Sequence, residues 1–103
     1  MSIFINDIGT IIRLRITNKD LTNGVNPRIY YKSPSGIQGS WVATIEDTNL
    51  PSGDIVTDVL QYIFNSGDLS ESGVWQIQGY IELPAWSGFT TIETIKVEKD
   101  LSV

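Results

Sequence analysis

Hydrophobic and polar residues alternate most clearly along residues 74–81. In an extended chain the apolar and polar side chains of this segment fall on opposite sides: Trp75, Ile77 and Ile81 against Gln76, Gln78 and Tyr80. A repeat of two residues predicts a β-strand, because successive side chains of a strand point to opposite faces. Leu69 is the apolar residue of the polar turn before this strand, and we expect its side chain to fold inward and cap the core.

Six other segments show strand composition or alternation and are separated by residues that favour turns: 3–5, 10–17, 28–32, 40–46, 55–64 and a final one from about 89 to 98. Segment 55–64 also fits a short helical stripe. Its β-branched and aromatic residues and the lack of a helix cap favour a strand. We expect segments 28–32 and 40–46 to form a hairpin, and the final strand to pair with the strand that contains Trp75.

Short strands at these spacings, joined by turns, predict an all-β protein, an immunoglobulin-like β-sandwich of about seven antiparallel strands. A chain of 103 residues supports one hydrophobic core, so residues 1–103 are predicted to form a single domain. The chain contains no cysteine, so the hydrophobic layer must hold the sheets together without a disulfide. The side chains expected in this layer are Ile12, Leu14, Ile16, Leu21, Ile29, Tyr31, Trp41, Leu60, Trp75, Ile77, Ile81, Ile95 and Val97.

The balance of charged residues narrows the class of partner. Asp and Glu outnumber Lys and Arg by 12 to 7, which argues against nucleic acid, because binding to it depends on cations that neutralise phosphates. No apolar run is long enough to cross a bilayer, so no membrane partner is expected. Met1 leads directly into the first predicted strand and not into a secretory signal, and we therefore expect the protein to be made in a cytoplasm.

The chain offers no strong candidate for catalysis. Histidine and cysteine are both absent, so its serines lack the usual activating base. Two carboxylate pairs, Asp54 with Asp58 and Asp68 with Glu71, could in principle hydrolyse a glycosidic bond, but we expect Asp68 to brace its turn and the others to be solvated. The loop 47–54 carries oxygen ligands without the spacing of a calcium loop. The sequence therefore predicts no enzyme and no catalytic, cofactor-binding or metal-binding residue.

Five residues are candidates for contact with a protein partner: Trp86, Tyr80, Tyr30, Arg13 and Arg15. Trp86 lies in a predicted loop over 84–88, where an indole either folds back over the end of the sandwich or anchors a partner. Tyr30 and Tyr80 occupy outward positions of their strands. Arg13 and Arg15 form a stripe on the exposed side of one strand, which predicts a salt-bridged or contact face and not a nucleic-acid groove.

Several short motifs follow one another along most of the chain: Asp7-Ile8-Gly9-Thr10, Asp20-Leu21-Thr22, Tyr31-Lys32-Ser33-Pro34-Ser35-Gly36, Trp41, Gly67-Asp68-Leu69-Ser70 and Gly73-Val74-Trp75-Gln76-Ile77. This order resembles a group of small virion proteins of tailed phages. It is similar to the immunoglobulin-like N-terminal domain of phage baseplate upper proteins, which pairs an Asp-Leu-Thr turn with a later Gly-x-Tyr/Trp core strand.

The resemblance implies a non-enzymatic building block of the virion, assembled in the cytoplasm of a bacterial host. Its partners would be other phage structural proteins and copies of itself, in a ring or another homo-oligomer, without nucleic acid, membrane or cofactor. Because the long C-terminal extension of baseplate receptor-binding scaffolds is missing, an accessory subunit of the tail or baseplate collar is the first hypothesis. The alternatives are a capsid decoration protein on the same fold, a carbohydrate-binding module that stacks sugars on Trp86 and Tyr80, and an enzyme that uses Asp54 or Asp68.

Overall fold

A computed structural model of the protein describes residues 3–16, 19–84 and 86–99. These residues form strands and no helix: β1 (Ile3–Phe4), β2 (Ile11–Arg15), β3 (Val25–Lys32), β4 (Gln38–Val42), β5 (Thr44–Asn49), β6 (Ile55–Ile63), β7 (Gly73–Leu83), β8 (Trp86–Phe89) and β9 (Glu93–Glu98). The all-β prediction is confirmed. Thr17, at the end of the second predicted strand, and Ala85, in the predicted tryptophan loop, lie outside the described residues.

The strands form two sheets. The larger sheet has the order β1–β9–β7–β3–β4, with β8 pairing with the C-terminal end of β7, and the smaller sheet has the order β2–β6–β5. The pairs are antiparallel except for the short pair of β1 and β9, which is parallel with Ile3 opposite Val97. Inward-facing residues of both sheets form one hydrophobic core, an arrangement consistent with a β-sandwich.

Two predicted strands are each divided in the structure, which raises the number of described strands from about seven to nine. Segment 40–46 belongs partly to β4 in the larger sheet and partly to β5 in the smaller one, with buried Ala43 between them. Trp41, Ala43 and Ile45 all face the same core, so the alternation continues across the change of sheet. Segment 89–98 is divided between β8 and β9.

The remaining strand predictions are confirmed. Segment 55–64 is strand β6 and not a helix. Strands β3 and β4 form the expected hairpin, with Ile29 opposite Trp41. Strand β9 pairs with β7, placing Ile95 opposite Trp75.

The core contains the predicted residues with two exceptions. Tyr31 and Ile95 are only partly buried, although both contact the buried cluster. Four buried hydrophobic residues were not among the predicted core candidates or inward turn residues: Ile3, Ala43, Val59 and Phe64. Aromatic rings dominate the centre, where Trp41 stacks between Tyr31 and Tyr62 with ring centroids 4.4 Å and 5.0 Å away.

The two Asp-Leu turns close the core as predicted. Leu21 and Leu69 have no exposed surface. The backbone N–H of Leu21 donates a hydrogen bond to the Thr57 carbonyl, and the carbonyl of Leu69 accepts one from the N–H of Asn6, both at 2.8 Å. Each leucine is thus held by its backbone to a distant part of the chain.

Candidate interaction surfaces

The outer face of the larger sheet carries an aromatic cluster beside a row of polar side chains. We call it the aromatic face, and it consists of Arg28, Tyr30, Lys32, Gln76, Gln78, Tyr80 and Phe89. These residues lie in register across three strands, with Lys32 opposite Gln76, Tyr30 opposite Gln78, Arg28 opposite Tyr80, and Phe89 opposite Tyr80 on its other side. Because Ile29, Ile77 and Ile81 in the same strands are buried, their sequence neighbours must face solvent.

Three aromatic rings of this face contact one another. The centroid of Tyr80 lies 4.9 Å from that of Phe89 and 6.2 Å from that of Tyr30, and the centroids of Tyr30 and Phe89 are 5.6 Å apart. Phe89 is 54% exposed and Tyr30 is 39% exposed. The Tyr80 hydroxyl donates a hydrogen bond to Glu82, which raises the pKa of Tyr80. The cluster is therefore an ordered apolar surface that remains accessible to solvent.

A shallow groove of about 290 Å³ lies beside this cluster. Its apolar lining consists of Tyr30, Tyr31, Ile77, Phe89 and Ile92, and its polar lining of Lys32, Gln38, Gln76 and Gln78. The side-chain amide of Gln78 donates a hydrogen bond to the carbonyl of Thr90 at 2.9 Å, which fixes its orientation. Lys32 is the charged residue of the lining, and the groove contains no carboxylate among the described residues.

The outer face of the smaller sheet has a different composition. We call it the arginine face, and it consists of Ile11, Arg13, Arg15, Gln61 and Ile63. Ile11 lies opposite Ile63 and Arg13 opposite Gln61 across strands β2 and β6. The two isoleucines are 44% and 49% exposed. This face therefore places an accessible apolar pair next to two cations.

Strand β2 also forms an edge of its sheet. A cleft of about 480 Å³ separates this edge from strand β9, and apolar residues of both sheets line it, among them Ile12, Leu14 and Ile95. Arg13 and Arg15 contribute to the same cleft. An edge strand carries backbone groups that another strand could pair with. The arginine face and the edge of β2 are thus one continuous surface.

Arg13 and Arg15 bond to different kinds of partner. The guanidinium of Arg13 donates to the backbone carbonyl of Asp47 at 2.9 Å. The Nε of Arg15 lies 2.6 Å from a carboxylate oxygen of Asp58, and the hydroxyl of Thr48 donates to the other oxygen at 2.7 Å. Arg15 therefore forms the salt bridge that the sequence analysis offered as one role for this stripe.

Asp58 is buried, so the prediction that it is solvated was wrong. The register between β5 and β6 shifts at this point: Glu46 pairs with Val59 and Asp47 with Thr57, so Asp58 has no partner on β5. Such irregularities redirect a side chain locally. Burial raises the pKa of Asp58, but the hydrogen bonds from Arg15 and Thr48 and the charge of Arg15 outweigh it, so the pKa lies below its ordinary value.

Trp86 packs against the interior of the sandwich and is partly buried. It lies in strand β8 and not in a loop, opposite Leu83. Its ring is partly buried against the hydrophobic core, and the Lys19 ammonium lies 4.7 Å from its centroid. Of the two predicted alternatives, the structure therefore supports the folded-back indole. Tyr80 is on the opposite side of the sheet, so these two rings cannot form one platform for a sugar.

Asp68 and Glu71, the second predicted carboxylate pair, both accept hydrogen bonds within the fold. Asp68 accepts a bond from the backbone N–H of Asn65 at 2.7 Å and one from the hydroxyl of Tyr62, so it braces its turn as predicted. Burial and the bond to Asp68 raise the pKa of Tyr62 to about 12. Glu71 is half-buried and not simply solvated. It accepts bonds from Ser35, which lower its pKa.

Sequence reasoning missed Phe89 as a surface residue. It treated Phe89 only as the start of the last strand, whereas the structure places it in β8 directly opposite Tyr80. The outward glutamines were recognised as polar, but not as neighbours of Tyr30. No local signal gives these cross-strand partners, because they depend on the order of strands in the sheet.

The residues that the structure describes contain no group of three or more acidic, histidine or cysteine side chains arranged to hold a metal ion. Within the same residues, no helix has the length and apolar character needed to span a membrane. The chain matches no protein-family model, and comparison with curated proteins and with solved structures gives no match. The class of protein defined by the fold is an all-β domain of two sheets with two exposed, chemically distinct faces.

Proposed function

We propose that this protein is a non-enzymatic structural subunit of a tailed-phage particle, an accessory component of the tail or baseplate collar. It binds copies of itself and neighbouring structural proteins. The proposal rests on the motif order described in the sequence analysis and on the two-sheet architecture. The proposal includes the assignment of the two sheets to an immunoglobulin-like fold.

The order of the strands supports that assignment of the fold. In immunoglobulin sandwiches of the variable type, strands G, F, C and C′ share one sheet and strands B, E and D share the other. Here β9–β7–β3–β4 and β2–β6–β5 have the same orders, and they also follow the same sequence along the chain. Strand β8 is then an addition between the strands equivalent to F and G.

The observation that carries the proposal of protein contact is the exposed pair of Ile11 and Ile63 beside Arg13. Exposed apolar residues in direct contact are favourable sites for burial by a partner. Arginine is enriched at protein interfaces, because its long side chain and its five donors serve both apolar and polar contacts. Copies related by a two-fold axis or by a ring would bury this surface.

Self-association is tested by measuring molecular mass over a concentration series for the wild type and two variants. Ile63→Glu places a charge in the apolar pair of the arginine face. Ile55→Glu is the matched control, because Ile55 is an exposed isoleucine at the other end of β6. We expect the wild type and Ile55→Glu to form oligomers as concentration rises and Ile63→Glu to remain a monomer. A wild-type protein that is monomeric at every concentration contradicts self-assembly through this face.

A further inference from the structure

We propose that the groove of the aromatic face binds an acidic saccharide, with a sugar ring on Tyr30 and Phe89 and a sugar carboxylate near Lys32. This proposal concerns the larger sheet. It goes beyond the proposed structural role and does not depend on it. Three properties of the groove support it: its combination of side chains, its rigidity and its charge.

The first property is the combination of aromatic rings with amides. A sugar ring presents apolar C–H groups on one face and hydroxyls around its edge, so it needs an apolar contact surface and groups that both donate and accept hydrogen bonds. Tyr30 and Phe89 provide the apolar surface. Gln38, Gln76 and Gln78 each carry an amide with one acceptor oxygen and two N–H donors. Such a pairing of an apolar wall with a few polar groups is typical of small-molecule sites.

The second property is that the aromatic rings and one of the amides are held in place before any ligand arrives. The rings of Tyr30, Tyr80 and Phe89 contact one another edge-on or at a tilt. The Gln78 amide is fixed by the carbonyl of Thr90. These four residues lie on strands β3, β7 and β8. A ligand therefore loses little free energy in ordering these rings and the Gln78 amide.

The third property is the charge of the groove. The whole chain has a net charge of −5, but the only ionised side chain among the described groove residues is Lys32. The next row of the same face holds Arg28, opposite Tyr80, and the Glu82 carboxylate that accepts the Tyr80 hydroxyl, so the charges of that row offset each other. A negatively charged ligand is thus attracted by Lys32 in the groove, whereas the rest of the acidic surface repels it. Because the groove of about 290 Å³ is at the small end of ligand sites, it would hold one or two sugar rings.

The proposal is tested by titrating the 15N-labelled protein with defined oligosaccharides and following the side-chain NH₂ signals of Gln76 and Gln78. The acidic probes are oligogalacturonate, a hyaluronan tetrasaccharide and sialyllactose. The neutral probes are cellotetraose and maltotetraose. We expect at least one acidic probe to shift both amide signals at a concentration of about 1 mM or below, and to bind more tightly than the neutral probes at low salt.

Variants separate the contributions. Phe89→Ala should weaken binding about tenfold through loss of the ring contact, and Lys32→Gln up to about fivefold through loss of an exposed charge pair. Val42→Ala is the control, since Val42 is exposed in the same sheet but does not line the groove. It should bind as the wild type does. Near-ultraviolet circular dichroism establishes that each variant is folded.

Two results would overturn the proposal. In the first, no acidic probe shifts the glutamine signals at millimolar concentration. In the second, Phe89→Ala and Lys32→Gln leave binding unchanged. Loss of oligomers in Phe89→Ala without any saccharide effect would identify the aromatic face as a protein interface instead. The mass measurements on Ile63→Glu are independent of all three outcomes, because that residue lies on the other sheet.

Discussion

The aromatic face and the arginine face are built from the same strand alternation but differ in what surrounds their exposed residues. On the larger sheet, rows of side chains from β3, β7 and β8 lie side by side and create a groove. On the smaller sheet, β2 is an edge, and its cations bond to the exposed Asp47 carbonyl and the buried Asp58 carboxylate. An outward position can therefore become part of a binding surface or part of the scaffold, depending on its cross-strand neighbours.

The two faces share one core, and we expect the largest loss of stability from a substitution in it. Trp75 lies beneath the aromatic face and is almost fully buried, with its indole N–H donating to the Glu71 carbonyl at 3.0 Å. We expect Trp75→Ala to lower the free energy of unfolding by about 3–5 kcal/mol, which is enough to unfold a domain of marginal stability.

Urea unfolding followed by circular dichroism measures this loss. The control is Val74→Ala, the exposed neighbour on the same strand, for which we expect a change within about 0.5 kcal/mol. A Trp75→Ala variant as stable as Val74→Ala would contradict a single core under both faces.

The next largest loss of stability is expected from removing Arg15, but not from removing Arg13. Removing Arg15 leaves the buried Asp58 carboxylate with Thr48 as its side-chain donor. We expect Arg15→Ala to lower the free energy of unfolding by about 1–3 kcal/mol. Arg13→Ala removes only a bond to an exposed carbonyl, and we expect a cost below about 0.5 kcal/mol. Equal losses in the two variants would show that Asp58 does not depend on Arg15.

The last effect is a dependence of stability on pH, and it comes from Asp58 itself. Its pKa in the folded protein lies below the ordinary value of 3.8, so between these two values the unfolded chain binds more protons than the folded one. The contribution of the carboxylate is complete above the unfolded value and is lost as the pH falls through the folded value.

We therefore expect the difference in free energy of unfolding between wild type and Asp58→Asn to narrow as the pH falls below about 4. Urea unfolding at neutral pH and at the lowest pH where the wild type remains folded measures this difference. A difference that stays constant over this range would mean that the ionised form of Asp58 contributes nothing. Asp54→Asn, at an exposed carboxylate of the preceding loop, is the control.

The sequence predicted the local structure well where hydrophobic pattern alone decides it. Leu21 and Leu69 are single apolar residues in polar turns, and both are fully buried as predicted. The alternation around Trp75 likewise defined strand β7 and its inner face.

The failures concern features that depend on distant partners. The change of sheet at Ala43 preserves the alternation, so the pattern cannot reveal it. The burial of Asp58 depends on a register shift against β5 and on an arginine 43 positions away. The inward orientation of Trp86 follows from its pairing with Leu83, in a segment whose proline and glycine indicated a loop. The sequence pattern identifies which residues of a strand point outward. It does not reveal the groove, because the groove depends on which strands are neighbours.

Ala43 also has a mechanical consequence. It is the single residue between β4 and β5, so the backbone passes from one sheet to the other with almost no slack, since an extended residue spans only about 3.5 Å. Its N–H is held by the carbonyl of Pro27 at 3.0 Å, which ties the crossing to strand β3. A force applied to the larger sheet therefore reaches the smaller one directly. Sliding the sheets apart by more than a few ångströms would require breaking backbone pairs of β4 or β5.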